Sequence, residues 1–134
     1  RPGVLGLSKN IQVVSIVDRY LEHARIIYFY HGGDEQVFIS SADWMQRNLD
    51  RRVELLTPID DSACRQRLVT LLDTYFQDNV KAKTLQPDGN YSPVRGDRPY
   101  RCQSEHYREA CDRVRAAKDD VRNVFVPHRA EEES

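Results

Sequence analysis

His23 and Arg25 stand one residue apart in the order His-x-cation. That pairing suits phosphate: an imidazole can attack phosphorus, pass a proton or bind an oxygen, and a guanidinium holds two oxygens at once. Ser40 and Ser41 follow a β-branched run, where their hydroxyls and backbone N–H groups can serve an oxyanion. Arg52 adds a cation of the kind that stabilises charge during phosphoryl transfer. Each residue also has a structural reading, which taken singly is the commoner one. A histidine ahead of a strand is usually a packing residue, and Trp44 is usually core. Asp43 and Arg47 at i, i+4 make a local ion pair worth on the order of a few tenths of a kcal/mol. The cluster Arg47, Arg51 and Arg52 reads equally as a solvated face. Cys102, His106 and Cys111 follow C-x3-H-x4-C, which matches no common zinc pattern and lacks an evident fourth ligand. No metal ligand is therefore assigned, and the thiols, Cys64 included, are read as free in a reducing compartment.

These side chains need elements to position them. Residues 1–10, rich in Gly, Pro, Ser and Asn, read as a linker, and residues 11–14 as a short strand. Ser15 can cap a helix over residues 15–23, with Ile16, Val17, Tyr20 and Leu21 on one stripe. His23 then ends that helix, and Arg25 opens a buried strand over residues 25–30. Gly32 and Gly33 turn the chain into a second strand over residues 36–40, making a hairpin. Residues 41–52 form a loop or short helix, and residues 53–56 a strand stopped by Pro58. A helix over residues 61–79 is capped by Asp60, Asp61 and Ser62 and faces the core with Leu68, Leu71, Leu72, Tyr75 and Phe76. Residues 81–94 form a hairpin about Asp88-Gly89, and the last helix spans residues 104–123. The expected fold class is α/β, a mixed β-sheet flanked by helices. The domain covers residues 11–126, and an acidic, disordered tail covers residues 127–134.

Composition narrows the function classes. A chain of 134 residues, 40% hydrophobic and 31% charged, has enough material for one globular domain. No run approaches the roughly 18 apolar residues of a membrane span, and no secretory signal is visible. The chain opens on Arg1 with no Met, which reads as a piece of a longer protein. A net charge of −1 carries no nucleic-acid or membrane signature. The basic character is local, in Arg47, Arg51 and Arg52 and again in Arg95, Arg98 and Arg101, and suits an anion held at one place.

Residues 15–26, SIVDRYLEHARI, and residues 40–54, SSADWMQRNLDRRVE, resemble two long motifs of the large, ATP-polymerising bacterial polyphosphate kinases. Residues 6–11, GLSKNI, and 78–83, DNVKAK, resemble two more, with Lys83 where that family usually has Arg. The resemblance covers roughly residues 6–94 and implies the second of two C-terminal domains that are themselves similar to phospholipase D. Set against the phospholipase D signature, HxK followed by GSxN, His23-x-Arg25 and Ser40-Ser41-x-Asp43 depart at the lysine and the asparagine. Asp43 is not assigned as a ligand, because a carboxylate repels phosphate.

The resemblance further implies reversible transfer of the terminal phosphate of ATP to a growing polyphosphate chain. The phosphohistidine that carries the group lies outside this chain. His23 matches the family's second active-site histidine, catalytic and phosphate-binding; Arg52 matches an arginine of the triphosphate tunnel; Arg25 is assigned by analogy with the HxK lysine. Mg2+ and ATP are the implied cofactor and substrate, held mainly by other parts of the parent. The implied partners are ATP, ADP, polyphosphate, the other domains of the same chain and further copies in a homo-oligomer, with no nucleic acid. The implied location is the cytoplasm, with peripheral contact at the inner membrane allowed, and the isolated chain is expected to be inactive. Two alternatives stand beside this reading: a phospholipase D-like phosphodiesterase half, and a non-catalytic anion-binding or assembly module.

Overall fold

In the computed structural model of the chain, residues 1–119 are described. Strands β1 (Val14–Ile16), β2 (Ile26–His31) and β3 (Asp34–Ser40) come first, followed by helix α1 (Gln46–Arg51) and strand β4 (Leu56–Pro58). Helix α2 (Ser62–Gln77), strands β5 (Ala82–Leu85) and β6 (Tyr91–Pro93), and helix α3 (Cys102–Asp119) complete the order. The expected α/β class holds, but the strands form two three-stranded antiparallel sheets, β1-β5-β6 and β2-β3-β4, in place of one mixed sheet.

Local chemistry accounts for both hairpins. The β2–β3 register runs from Ile26↔Ile39 to His31↔Asp34 and leaves a two-residue turn. Gly32 and Gly33 sit there at φ 63° and 97°, the left-handed conformation that a tight turn of this twist requires. Phe29 and Phe38 stand edge to face across the pair, with ring centroids 6.0 Å apart. In the β5–β6 hairpin, Lys83 pairs with Pro93 and Leu85 with Tyr91. β4 includes Pro58, which was expected to stop a strand over residues 53–56. Pro58 is tolerated because β4 is an edge strand, where a missing N–H breaks no ladder.

The helix expected over residues 15–23 is not formed. Val14, Ser15 and Ile16 instead pair with Thr84, Lys83 and Ala82 of β5, and the chain runs irregularly from there to Arg25. The expected stripe has no surface to bury: Val17 is 78% exposed and Leu21 90%. Polar groups of Asp18, Tyr20 and Glu22 are spent instead on Arg101, Gln103 and Tyr75.

Helix α2 begins where expected. The Asp61 carboxylate accepts from Cys64 N–H at 2.7 Å, and that bond holds its pKa below the usual value. The helix ends on Asp78, whose side chain is fully buried. Its Oδ1 accepts from the N–H groups of Val80, Lys81 and Ala82, and its Oδ2 from Cys102 N–H at 2.9 Å. One carboxylate thus ties the end of α2 to the start of β5 and the start of α3. Burial alone would raise the Asp78 pKa, but the N–H donors outweigh it and the pKa lies below the ordinary 3.8. Burial and the neighbouring Asp78 push the Cys102 thiol the other way, up to about 12, which makes it inert.

The buried apolar core is small: Val37, Ala82 and Cys102 among the described residues. Residues 1–10, expected as a linker, form hydrogen-bonded turns in which Ser8 is buried and its Oγ donates to Arg1 O at 2.6 Å. The chain divides into two compact units, the first ending at Gln103 and the second beginning at Ser104. Within the second, residues 104–119 are helical. The end of the helix expected to reach residue 123, and the acidic tail over residues 127–134, lie outside the described residues.

Candidate phosphate-handling site

His23 is exposed, near the end of the irregular segment that joins β1 to β2. That segment is fastened at three points. Arg101 forms a two-point ion pair with Asp18, Nε to Oδ2 at 2.7 Å and a second, shorter bond from its terminal nitrogen to Oδ1. That pair lowers the Asp18 pKa and raises that of Arg101. The Gln103 amide accepts from Tyr20 N–H at 2.9 Å and donates to Tyr20 C=O at 2.7 Å. Glu22 accepts from Gln103 Nε2 and from the Tyr75 hydroxyl, both at 3.1 Å. Burial, then the Glu22 charge, raises the Tyr75 pKa well above its usual value and keeps the phenol protonated as a donor.

Arg25 gathers the site. Its Nε donates to Asp43 Oδ1 at 2.6 Å, and a terminal nitrogen lies 2.9 Å from His23 Nε2. The other terminal nitrogen donates to the His23 carbonyl at 3.4 Å. A guanidinium has only N–H donors, so His23 Nε2 is the acceptor here and a neutral ring carries its proton on Nδ1. Nδ1 is thus the ring donor left for an incoming oxygen. The bond to Arg25 holds the Asp43 carboxyl below the usual range, and the same bond raises the Arg25 pKa. Asp43 therefore pairs with Arg25, and the expected i, i+4 pair with Arg47 is not formed.

Two further expectations change. Ser40 and Ser41 do not form an oxyanion cradle, because β3 carries on bonding through them. Their N–H groups donate to the carbonyls of Arg25 and Leu55. Ser40 Oγ accepts from Ala42 N–H, while Ser41 Oγ accepts from Leu55 N–H and donates to Glu54. Trp44 is 85% exposed and not core. The structure brings His23, Arg25 and Asp43 together, but Arg52 shares no hydrogen bond or ion pair with them. Arg52 follows α1 in extended conformation (φ −130°, ψ 151°), exposed and unpaired among the described residues. No group of three or more His, Cys, Asp or Glu among the described residues is arranged to hold a metal ion. Gln103, Arg101 and Tyr75 escaped sequence reasoning, because their contacts reach back 53 to 83 residues and leave no local spacing signal.

Residues 1–105 match the family described as Polyphosphate kinase C-terminal domain 2. The chain is 53% identical over 132 residues to a polyphosphate kinase of Rhodopirellula baltica, an alignment covering 96% of this chain and 16% of that protein. It is 50% identical over 107 residues to a polyphosphate kinase of Pseudomonas aeruginosa, covering 78% and 16%. The crystal structure of polyphosphate kinase from Porphyromonas gingivalis superposes with a TM-score of 0.74 at 40% identity. That superposition covers 81% of this chain and 17% of the other. The chain thus spans 16% of the length of these two curated relatives.

Proposed function

The chain belongs to the polyphosphate kinase family through its second C-terminal domain, and on that premise we propose that it supplies one wall of a phosphoryl-transfer site. In the proposed reaction ATP and a polyphosphate of n units give ADP and a polyphosphate of n+1, reversibly, through a phosphohistidine borne by another part of the parent. The observation that supports this reading is the cluster of His23, Arg25 and Asp43. His23 offers Nδ1–H to a phosphate oxygen, and Arg25 orients the ring from the Nε2 side. Arg52, in no ion pair among the described residues, meets the negative charge of the triphosphate. Catalysis of this kind is mostly positioning and charge stabilisation, which these three side chains can provide.

Mg2+ would neutralise phosphate charge in such a reaction, and the family resemblance assigns it mainly to other parts of the parent. The bulk of the ATP site is assigned there too. The same reading makes the parent a cytoplasmic homo-oligomer.

The test is polyphosphate formation from Mg-ATP by the full-length enzyme carrying this segment, with and without His23→Ala. Loss of about 100-fold or more in kcat by a folded variant is the expected result. Unchanged turnover would remove His23 from the site, and a folded parent that neither makes nor degrades polyphosphate would remove the reaction.

A further inference from the structure

We propose that Gln103 is a positioning residue for His23, acting from the start of α3 on the segment that carries the histidine. The inference rests on the phosphate-handling role given to His23 above. Tyr20 lies outside any strand or helix, three residues before His23. Its N–H and C=O still need partners, and one side-chain amide serves both, at 2.9 and 2.7 Å. The Gln103 amide thereby takes the place of a neighbouring strand's peptide. The same Nε2 also reaches Glu22, the residue next to His23, at 3.1 Å.

Chemistry restricts the position. A carboxylate would provide acceptors only, an ammonium donors only, and Asn is one methylene shorter. Gln103 can hold the segment because it is itself held. It is 5% exposed, and the residue before it donates its N–H to the buried Asp78. A continuous line of bonds therefore runs from the end of α2, through Asp78 and Cys102, to Gln103 and the backbone beside His23. Releasing it lets His23 move away from Arg25 while leaving the histidine and its charge partners chemically intact.

The experiment is a double-mutant cycle in the full-length enzyme, with kcat followed by labelled ATP. Gln103→Ala is expected to lower kcat about 10- to 100-fold, the usual consequence of a misplaced catalytic group. In a His23→Ala background the same substitution is expected to change kcat less than about twofold, because residues acting as a unit are not additive. An equal loss in both backgrounds would mean a general structural role and would overturn the proposal, as would unchanged kcat for Gln103→Ala alone. Should His23→Ala by itself be harmless, the reading of the site has failed, and the positioning role falls with it. If Gln103→Ala does not fold, Gln103→Glu goes through the same cycle, since it keeps the volume and the acceptor for Tyr20 N–H but loses the donor.

Discussion

At the scale of single residues, the departure from the phospholipase D signature has a reason in the geometry. A lysine at position 25 would carry all its donors on a single nitrogen. Arg25 reaches Asp43 through Nε and His23 through a terminal nitrogen, so the ring and the carboxylate are held by one planar group. Arg25→Lys keeps the charge and loses the fork. It is expected to lower kcat about tenfold or more, with a smaller change in the KM for ATP. Equal kcat for the two residues would show that the fork does nothing. Asp43 acts in the opposite sense: it offsets the Arg25 charge and is itself ionised across the working range, its pKa being lowered by Arg25. Asp43→Asn keeps a hydrogen-bond acceptor and frees that charge for an anion. The KM for ATP is expected to fall about two- to fivefold at low salt, with the gain shrinking by 0.15 M salt. A KM that rises would show that Asp43 contacts the ligand or its metal directly.

At the scale of elements, the parts legible in the sequence are those made by local chemistry. Gly32-Gly33 and Asp88-Gly89 announced their hairpins, and Asp61 announced the start of α2. The spacing of His23 and Arg25 was likewise visible, and the two side chains do meet. The misread parts depend on distant residues. Ser15 looked like a helix cap, but β5, some seventy positions away, drew residues 14–16 into a strand. Ser40 and Ser41 read as phosphate donors, but Ser40 N–H goes to the Arg25 carbonyl, and Ser41 gives its N–H to the Leu55 carbonyl and its hydroxyl to Glu54. Asp78 belongs to this second group: nothing in its local sequence shows that Cys102 N–H will be its partner. Its four N–H bonds make it a target for stability. Asp78→Ala leaves four donors without that acceptor in a buried place and is expected to cost about 3 kcal/mol or more. The pH dependence follows from the depressed pKa. Asp78 binds its proton more weakly folded than unfolded, so its stabilisation is present above the unfolded value near 3.8. It is lost as pH falls through the lower, folded value. Urea melts at pH 7 and below pH 3.8 should show the difference between parent and Asp78→Asn shrinking in acid; a constant difference would mean that the carboxylate charge is not what matters.

At the scale of the whole molecule, the apolar surface is unevenly distributed between inside and outside. Among the described residues, Val37, Ala82 and Cys102 are the apolar side chains buried, while Leu5, Leu7, Leu21, Trp44 and Val53 are each more than 80% exposed. Soluble domains expose scattered apolar side chains, but so small a core gives little hydrophobic stabilisation to set against chain entropy. The relatives are about five to six times as long, and under the proposed function their remaining parts supply the phosphohistidine and most of the nucleotide site. Two properties of the isolated chain follow from these facts taken together. It carries His23, Arg25 and Arg52 and should retain weak affinity for tripolyphosphate; with the phosphohistidine borne elsewhere in the parent, as proposed, it should make no polyphosphate. Calorimetric titration with tripolyphosphate should therefore give a binding signal that His23→Ala and Arg52→Ala each diminish. That signal should weaken as salt rises, since the screening length falls from about 30 Å at 0.01 M to about 8 Å at 0.15 M. Turnover of Mg-ATP by the chain alone would contradict the assignment of the nucleophile to another part of the parent. Binding untouched by both substitutions would instead place the anion elsewhere on this surface, with Arg95 and Arg98 the next cations to replace.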